Sequence, residues 1–302
     1  MADSKQKQYP QAGSVPVSVL IPAKNEEENI QACLDSVRWA NDVVVVDSKS
    51  TDRTCEMSTA AGARVIQFHY VPGEMKKKNW ALSSVDFLNS WILILDADER
   101  ITPELAEEIA RSVHDPKGCP GFYINRRFFF LNRFIRHAGY YPSWNLRLLK
   151  RGSGMYEDFT GQDTGSGDNE VHEHIILDGN AGYLNHPMDH FAFPTIDHFL
   201  QKHIRYSNWE ARVQARLEER VQLDQARTGI SRSLELKRFL KNAARKFPFP
   251  HWLRFAYHYF IKRGFLDGKE GYVFCHLLAE YEFWIAAKRF ELGMTPLHTA
   301  KR

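Results

Sequence analysis

Short apolar runs separated by polar, helix-patterned stretches set the rhythm of the first hundred residues. Residues 15–21 alternate and then run apolar, residues 43–46 and 92–95 are continuous aliphatic runs, and residues 64–68 form a further short one. Each predicts a strand, and the continuous runs predict strands buried on both faces. Between them, residues 27–38 place Ile30, Cys33, Leu34 and Val37 on one face and predict a helix; residues 53–61 and 76–85 predict two more. The punctuation agrees. Pro22 stops the first strand, Ser50-Thr51-Asp52 supplies N-cap chemistry for the second helix, and Gly62 ends that helix. Thr102-Pro103 reads as an N-cap followed by proline at the first helical position of a helix to about residue 113. Strands alternating with helices predict an α/β, Rossmann-like, mostly parallel sheet with helices on both faces.

The pattern changes from Phe122. Residues 122–124, 145–149 and 171–177 predict strands, residues 128–135 are aromatic and basic, and residues 152–169, rich in Gly, Asp and Ser, predict a mobile loop. A long helix is predicted over residues 198–227, and residues 233–292 read as mostly helical with a break at Phe247-Pro248-Phe249-Pro250. The expected organisation is a polar lead-in over residues 1–14, a catalytic α/β domain over 15–197, and a helical C-terminal extension over 198–302.

Candidate chemistry enters at Trp91-Ile92-Leu93-Ile94-Leu95-Asp96-Ala97-Asp98, an apolar run that ends in two carboxylates one residue apart. They fall at the carboxyl end of a predicted strand, the edge where open α/β sheets bind ligands. Their hard oxygens suit Mg²⁺ or Mn²⁺, and such an ion could hold a diphosphate. An isolated Asp-x-Asp also recurs by accident as a strand end followed by an acidic turn. Asp47 ends the second strand on the same edge, where a carboxylate can accept hydrogen bonds from a base or ribose; alone it would read as a turn cap. No Gly-x-Gly-x-x-Gly follows the first strand and no Gly-x-x-x-x-Gly-Lys-Ser/Thr is present, which argues against a dinucleotide dehydrogenase and a P-loop NTPase.

Composition narrows the picture modestly. The 302 residues carry a net charge of +3, too small to imply nucleic-acid binding. The four cysteines, Cys33, Cys55, Cys119 and Cys275, have no metal-type spacing and are expected as reduced thiols. No apolar stretch approaches the ~20 residues of a membrane span, and residues 1–14 lack the apolar core of a signal peptide. The expected location is cytoplasmic, with any membrane contact peripheral and on the inner face of the cytoplasmic membrane.

Taken together, Val17-Ser18-Val19-Leu20-Ile21-Pro22-Ala23-Lys24-Asn25-Glu26-Glu27, Val45-Val46-Asp47-Ser48-Lys49-Ser50-Thr51-Asp52-Arg53-Thr54 and Leu95-Asp96-Ala97-Asp98-Glu99 resemble the family 2 glycosyltransferases, which have the GT-A fold. The closer resemblance is to the lipopolysaccharide core β-glucosyltransferase branch. It is carried by Arg133-Phe134-Ile135-Arg136-His137-Ala138-Gly139-Tyr140-Tyr141-Pro142, Asn145-Leu146-Arg147-Leu148-Leu149-Lys150-Arg151, Val171-His172-Glu173 and Gly264-Phe265-Leu266-Asp267-Gly268. It runs from about residue 15 to about residue 290.

The resemblance implies a role for each matching residue. Pro22, Ala23 and Glu26 open the nucleotide site, Asp47 reads uracil or its equivalent, and Lys78 and Asn79 lie near the nucleotide. Asp98 is the expected direct metal ligand, with Asp96 on the ribose or a metal-bound water. Inverting transfer needs a carboxylate base opposite the leaving diphosphate. Glu173 matches that position, and Asp158 in Tyr156-Glu157-Asp158-Phe159 is its rival; Glu173 is preferred because residues 171–177 read as an ordered strand. His172 is expected to orient Glu173 or pack beneath it rather than bind metal. Two residues carry open alternatives: Arg147 binds a substrate phosphate bidentately or forms a surface ion pair, and His190 is a late metal ligand or a structural histidine. Lys78 and Asn79 also fit the solvated start of a basic helix.

The tail has its own pattern. Residues 237–263 carry Lys237, Arg238, Lys241, Arg245, Lys246, Arg254, Lys262 and Arg263 with no Asp or Glu, interleaved with Phe239, Phe247, Phe249, Trp252, Phe255, Tyr257, Tyr259 and Phe260. This suits an amphipathic element on an anionic membrane surface, or a helical hairpin that packs its aromatics inward. The expected protein is a metal-dependent inverting transferase taking a nucleotide sugar, a UDP-hexose, to a cell-envelope glycan or glycolipid such as lipopolysaccharide core, without nucleic-acid partners. A polyprenyl-phosphate sugar transferase and a non-catalytic scaffold are the alternatives.

Overall fold

A computed structural model describes residues 8–71, 74–157, 174–224 and 250–294. They fall into two compact units: the described residues up to Phe129 with Tyr141–Ala192, and Phe130–Tyr140 with the described residues from Phe193 onward.

The first unit follows the predicted alternation closely. β1 (Val15–Ala23), α1 (Ile30–Asp35), β2 (Ala40–Asp47), α2 (Thr54–Ala60), β3 (Arg64–Gln67), α3 (Lys77–Ser84), β4 (Trp91–Ile94), β5 (Glu99–Arg100) and α4 (Pro103–His114) come in that order. They are followed by β6 (Gly121–Phe130), β7 (Arg133–Phe134, in the second unit), β8 (Trp144–Lys150), β9 (Gly154–Tyr156), β10 (Ile175–Leu177), β11 (Gly182–Tyr183) and β12 (Met188–Phe193). The main sheet has the order β3-β2-β1-β4-β8-β6-β12-β5. β3, β2, β1 and β4 are mutually parallel, whereas β8 runs antiparallel to both β4 and β6. The α/β sheet expected from the sequence is present, and its second half is mixed in direction.

Strand periodicity divides the core into two layers. Val17, Val19, Ile21, Val45, Leu93 and Leu95 face Ile30, Cys33 and Leu34 of α1 and Leu105, Ala106 and Ile109 of α4. Leu20, Val44, Val46, Ile92 and Ile94 face the other way, onto Ala81 of α3, Phe87, Leu149 and Tyr156. Helices therefore cover both faces, and each fully buried aliphatic contributes about 1.5–3 kcal/mol relative to exposure. Thr102 caps α4, its side chain accepting from the Leu105 amide at 3.3 Å.

Three local expectations change. α1 starts at Ile30 rather than Glu27, because the residues before it form a loop: the Glu26 amide donates to Thr54 Oγ1 and the Glu27 amide to Asp52 Oδ2. Residues 154–156, placed within the mobile loop, are strand β9 paired with β10 through Ile175↔Tyr156 and Leu177↔Gly154. β10 itself begins at Ile175, and residues 171–173 of the expected strand lie outside the described residues.

The second unit contains α5 (Ile196–Asp224), α6 (Pro250–Ala256), a π-helical turn (Tyr257–Ile261), a 3-10 turn (Gly264–Asp267) and α7 (Gly268–Leu292). Its centre is aromatic. Phe130, Phe193, Phe199 and Phe274 meet edge-on or tilted, and His203 stacks on Phe199 with centroids 3.7 Å apart. Among the described residues no helix is long and apolar enough to cross a membrane.

Candidate functional site

Parallel register brings the ends of three strands to one edge: Ala23 lies opposite Asp47 across β1 and β2, and Leu20 pairs with Ile94 just before Asp96. The loops that leave this edge are stitched together. The Ser48 amide donates to Ala23 O at 3.0 Å. The Asn25 amide donates to Ser50 Oγ, and Asn25 Oδ1 accepts from the Thr51 amide, each at 2.8 Å. Lys77, almost fully buried, donates from Nζ to Ala23 O at 3.0 Å.

Asp96, Ala97, Asp98 and Glu99 form a tight turn closed from both ends. The Asp96 amide donates to Glu99 Oε2, and the Glu99 amide donates to Asp96 O, both at 2.9 Å. Asp96 meets a cation on each oxygen: Lys78 Nζ at 3.0 Å from Oδ1 and Arg147 Nη2 at 2.6 Å from Oδ2. Glu99 is fully buried and holds Arg147 at 2.8 Å and Arg126 at 3.3 Å on Oε1. Burial pushes the Asp96 carboxyl up, but Arg147 and then Lys78 outweigh it and hold the group well below the usual carboxylate range. Burial likewise opposes the charge on Arg147, and Asp96 and Glu99 more than restore it.

Asp98 faces elsewhere. Its Oδ2 lies 3.5 Å from His190 Nε2, and its carbonyl accepts from the Phe191 amide at 2.8 Å. Antiparallel pairing of β12 with β5 places His190 opposite Glu99, and Phe128 meets the His190 ring edge-on with centroids 5.9 Å apart. A carboxylate and an imidazole thus converge beside a carboxylate that is neutralised by two cations.

Residues 18–167 match the family model described as Glycosyl transferase family 2. The chain carries a family 2 glycosyltransferase domain. It is 29% identical over 202 residues to the lipopolysaccharide core biosynthesis glycosyltransferase LpsC of Rhizobium meliloti, covering 65% of this chain and 71% of that one. An uncharacterized glycosyltransferase of Rickettsia typhi is 39% identical over 94 residues, 31% of either chain. Among solved structures, glucosyl-3-phosphoglycerate synthase from Mycobacterium tuberculosis, in complex with Mn²⁺, uridine diphosphate and glucosyl-3-phosphoglycerate, overlaps 38% of this chain and 44% of its own at 23% identity and a TM-score of 0.31.

The remaining expected site residues of the glycosyltransferase domain fall as follows. Pro22 sits in β1 opposite Val46, and Glu26 accepts from Asn29 Nδ2 at 3.0 Å. Asp47 is buried and has turn-cap geometry: its carboxylate accepts from the Ser50 amide and hydroxyl and, at 3.0 Å, from Gln67 Nε2. Burial raises its carboxyl, and the hydrogen bonds from Ser50 outweigh this, so the group stays below its ordinary range. Asn79 exchanges both side-chain bonds with the backbone of Tyr156, at 2.8 and 2.9 Å, and so ties α3 to β9. Lys78 is not a solvated helix start; it reaches Asp96 and lies 5.4 Å over the Tyr156 ring. Arg147 takes the ion-pair alternative, in a buried rather than a surface setting, with its guanidinium on Asp96 and Glu99. Asp158, His172 and Glu173 lie outside the described residues. Among the described residues no group of three or more His, Cys, Asp or Glu side chains converges as a metal site. Asp98 with His190 is the pair that remains of the expected ligands once Asp96 is engaged by Arg147 and Lys78.

Glu99 and Arg126 were not anticipated. Glu99 directly follows the Asp-Ala-Asp motif, and the signal for Arg126 is a basic pair, Arg126-Arg127, inside a largely apolar strand.

Proposed function

We propose that this chain transfers a hexose from a UDP-sugar, with inversion at the anomeric carbon, to a cell-envelope glycan or glycolipid such as lipopolysaccharide core, at the inner face of the cytoplasmic membrane. The observation that carries this reading is the division of labour at the carboxyl edge of the sheet. Asp96 is locked by Arg147 and Lys78, which fixes the turn, while Asp98 is left to face His190. The family domain and the likeness to LpsC support the transfer reaction and the envelope acceptor.

The donor set fits a divalent cation of the Mg²⁺ or Mn²⁺ kind, which is commonly held by one or two protein groups with substrate phosphates and water completing the shell. Asp98 and His190 would hold it, and when bound it would act as a Lewis acid on the diphosphate. Lys78, 3.0 Å from Asp96 and only partly buried, would share its charge with the departing diphosphate. Asp47 and the stitched loops after β1 and β2 form the floor for the nucleoside. Glu173, with Asp158 as its rival, removes the acceptor proton as the hydroxyl attacks from the side opposite the diphosphate.

The test is nucleotide-dependent stabilisation and turnover. UDP with Mn²⁺ should raise the melting temperature of the full chain by mass action, and a UDP-hexose should be slowly hydrolysed. Absence of stabilisation by any nucleotide, with either metal, contradicts the reading.

A further inference from the structure

The turn at residues 257–266 in the second unit holds large apolar side chains outward on a braced support. Phe260 is 59% exposed and Ile261 70%, Phe265 46% and Leu266 52%, and the exposed Lys262 and Arg263 lie between the two pairs. Neighbouring aromatics behave differently: Phe255 stacks on Tyr259 at 5.1 Å and packs on His276 at 4.4 Å and on Tyr272 at 6.0 Å. Phe260 and Phe265 sit over this inward set, meeting Tyr259 edge-on at 5.1 and 6.1 Å, and keep about half of their surface exposed.

The turn is anchored from beneath. A Cβ added to Gly264 would lie 2.7 Å from Cys275 Sγ and 2.9 Å from His258 O, and one added to Gly271 would lie 2.2 Å from Gly264 O, so the two backbones meet through glycine. Arg263 takes φ +58°, which turns the chain between the two apolar pairs. The Ala138 amide donates to Lys262 O at 2.9 Å, and His258 Nδ1 donates to Ala138 O at 2.7 Å. Buried Asp267 accepts from the amides of Arg136 and His137, at 3.2 and 2.9 Å, and pairs with His137 Nδ1 at 2.8 Å. Four large apolar side chains displayed on such a support form a patch of the kind that marks an interaction surface.

Charge selects the partner. Residues 250–266 contain no acid; Arg254 and Arg133 are ion-paired with Glu282 and Glu270, and Lys262, Arg263 and Arg136 are the exposed cations at the turn. Apolar side chains at the tip with cations beside them match the boundary of an anionic bilayer, where apolar groups enter the acyl region and cations meet headgroup phosphates. We propose that this turn is a membrane-contacting tip for an anionic phospholipid surface. The inference deepens the glycolipid part of the proposed function, and either can fail without the other.

The full chain is sedimented with vesicles of phosphatidylcholine alone and of phosphatidylcholine mixed with phosphatidylglycerol. The chain should partition onto the mixed vesicles and not onto phosphatidylcholine. Phe260→Ser with Ile261→Ser should weaken that partition by about tenfold or more, and Lys262→Glu with Arg263→Glu by about tenfold or more. Both variants should keep the wild-type melting temperature and its response to UDP with Mn²⁺. Wild-type protein that stays in the supernatant with both vesicle types overturns the tip, as do variants that sediment like wild type. Equal binding to both vesicle types overturns the anionic selectivity. Vesicle binding that depends on these residues, in a chain that shows no nucleotide-induced shift, supports the tip and contradicts the transferase reading.

Discussion

The carboxyl edge of the sheet and the aromatic turn of the second unit use the same kinds of residue in opposite ways. At the sheet edge, Glu99, Arg126 and Arg147 are withdrawn from solvent and matched with one another and with Asp96. In the turn, Lys262 and Arg263 are exposed, and Phe260 and Ile261 face outward beside them. Buried charges placed against fixed partners resist rearrangement, because removing one leaves another uncompensated. Exposed cations beside exposed apolar groups contribute little to folding and keep their interaction energy for a surface that supplies both a phosphate layer and an apolar layer. The first arrangement positions chemistry; the second presents a face.

Breaking the buried side of this comparison should have the largest effect on stability. Arg147→Met takes a cation from the fully buried Glu99 and from the half-buried Asp96 and should cost about 3–5 kcal/mol, read by chemical denaturation. Adding Glu99→Gln should recover part of that loss, since the two residues share one network. A pair of losses that simply add would show the network is not coupled.

A second effect comes from the aromatic centre of the second unit. Burial pushes His203 down to about 4, so the folded unit keeps it neutral where the unfolded chain begins to protonate it. The depressed value means that stability is fully present above the ordinary histidine value near 6.5 and is lost as pH falls toward about 4. The contribution is about 3 kcal/mol at most. Denaturation midpoints followed across that window should fall for the wild type and fall less for His203→Gln. Equal slopes would show that His203 does not set the acid limb of stability.

The smallest expected change is at the tip. Phe260→Ser should cost no more than about 1 kcal/mol, because the ring is mostly exposed and meets Tyr259 only edge-on at 5.1 Å. A much larger loss would turn the outward set into part of the core.

Much of the parallel half of the fold was legible in the sequence. Its central strands β2 and β4 contain short aliphatic runs that are largely buried, its helix α4 is announced by Thr102-Pro103, and the three acids at its edge sit at strand ends that period and punctuation locate. The antiparallel half was harder. β6 carries Arg126 and Arg127 among its aromatics, and strand β9 is three residues long inside a stretch of loop-like composition. The pairing of Arg147 with Glu99 spans 48 positions and that of Lys78 with Asp96 depends on where α3 docks, so neither could be read from local pattern. The same holds for the division of aromatics around residues 255–266, where composition is uniform and only packing separates inward from outward.

On the proposed function, donor activation depends on Asp98, which faces His190 beside the neutralised Asp96. The most direct test is turnover of a UDP-hexose by the full chain with Mn²⁺, comparing wild type with Asp98→Ala. Turnover should fall about a thousandfold or more, the several kcal/mol that a metal-held diphosphate supplies to the transition state, with a wild-type melting temperature in the absence of nucleotide. Wild-type turnover by Asp98→Ala would contradict this dependence.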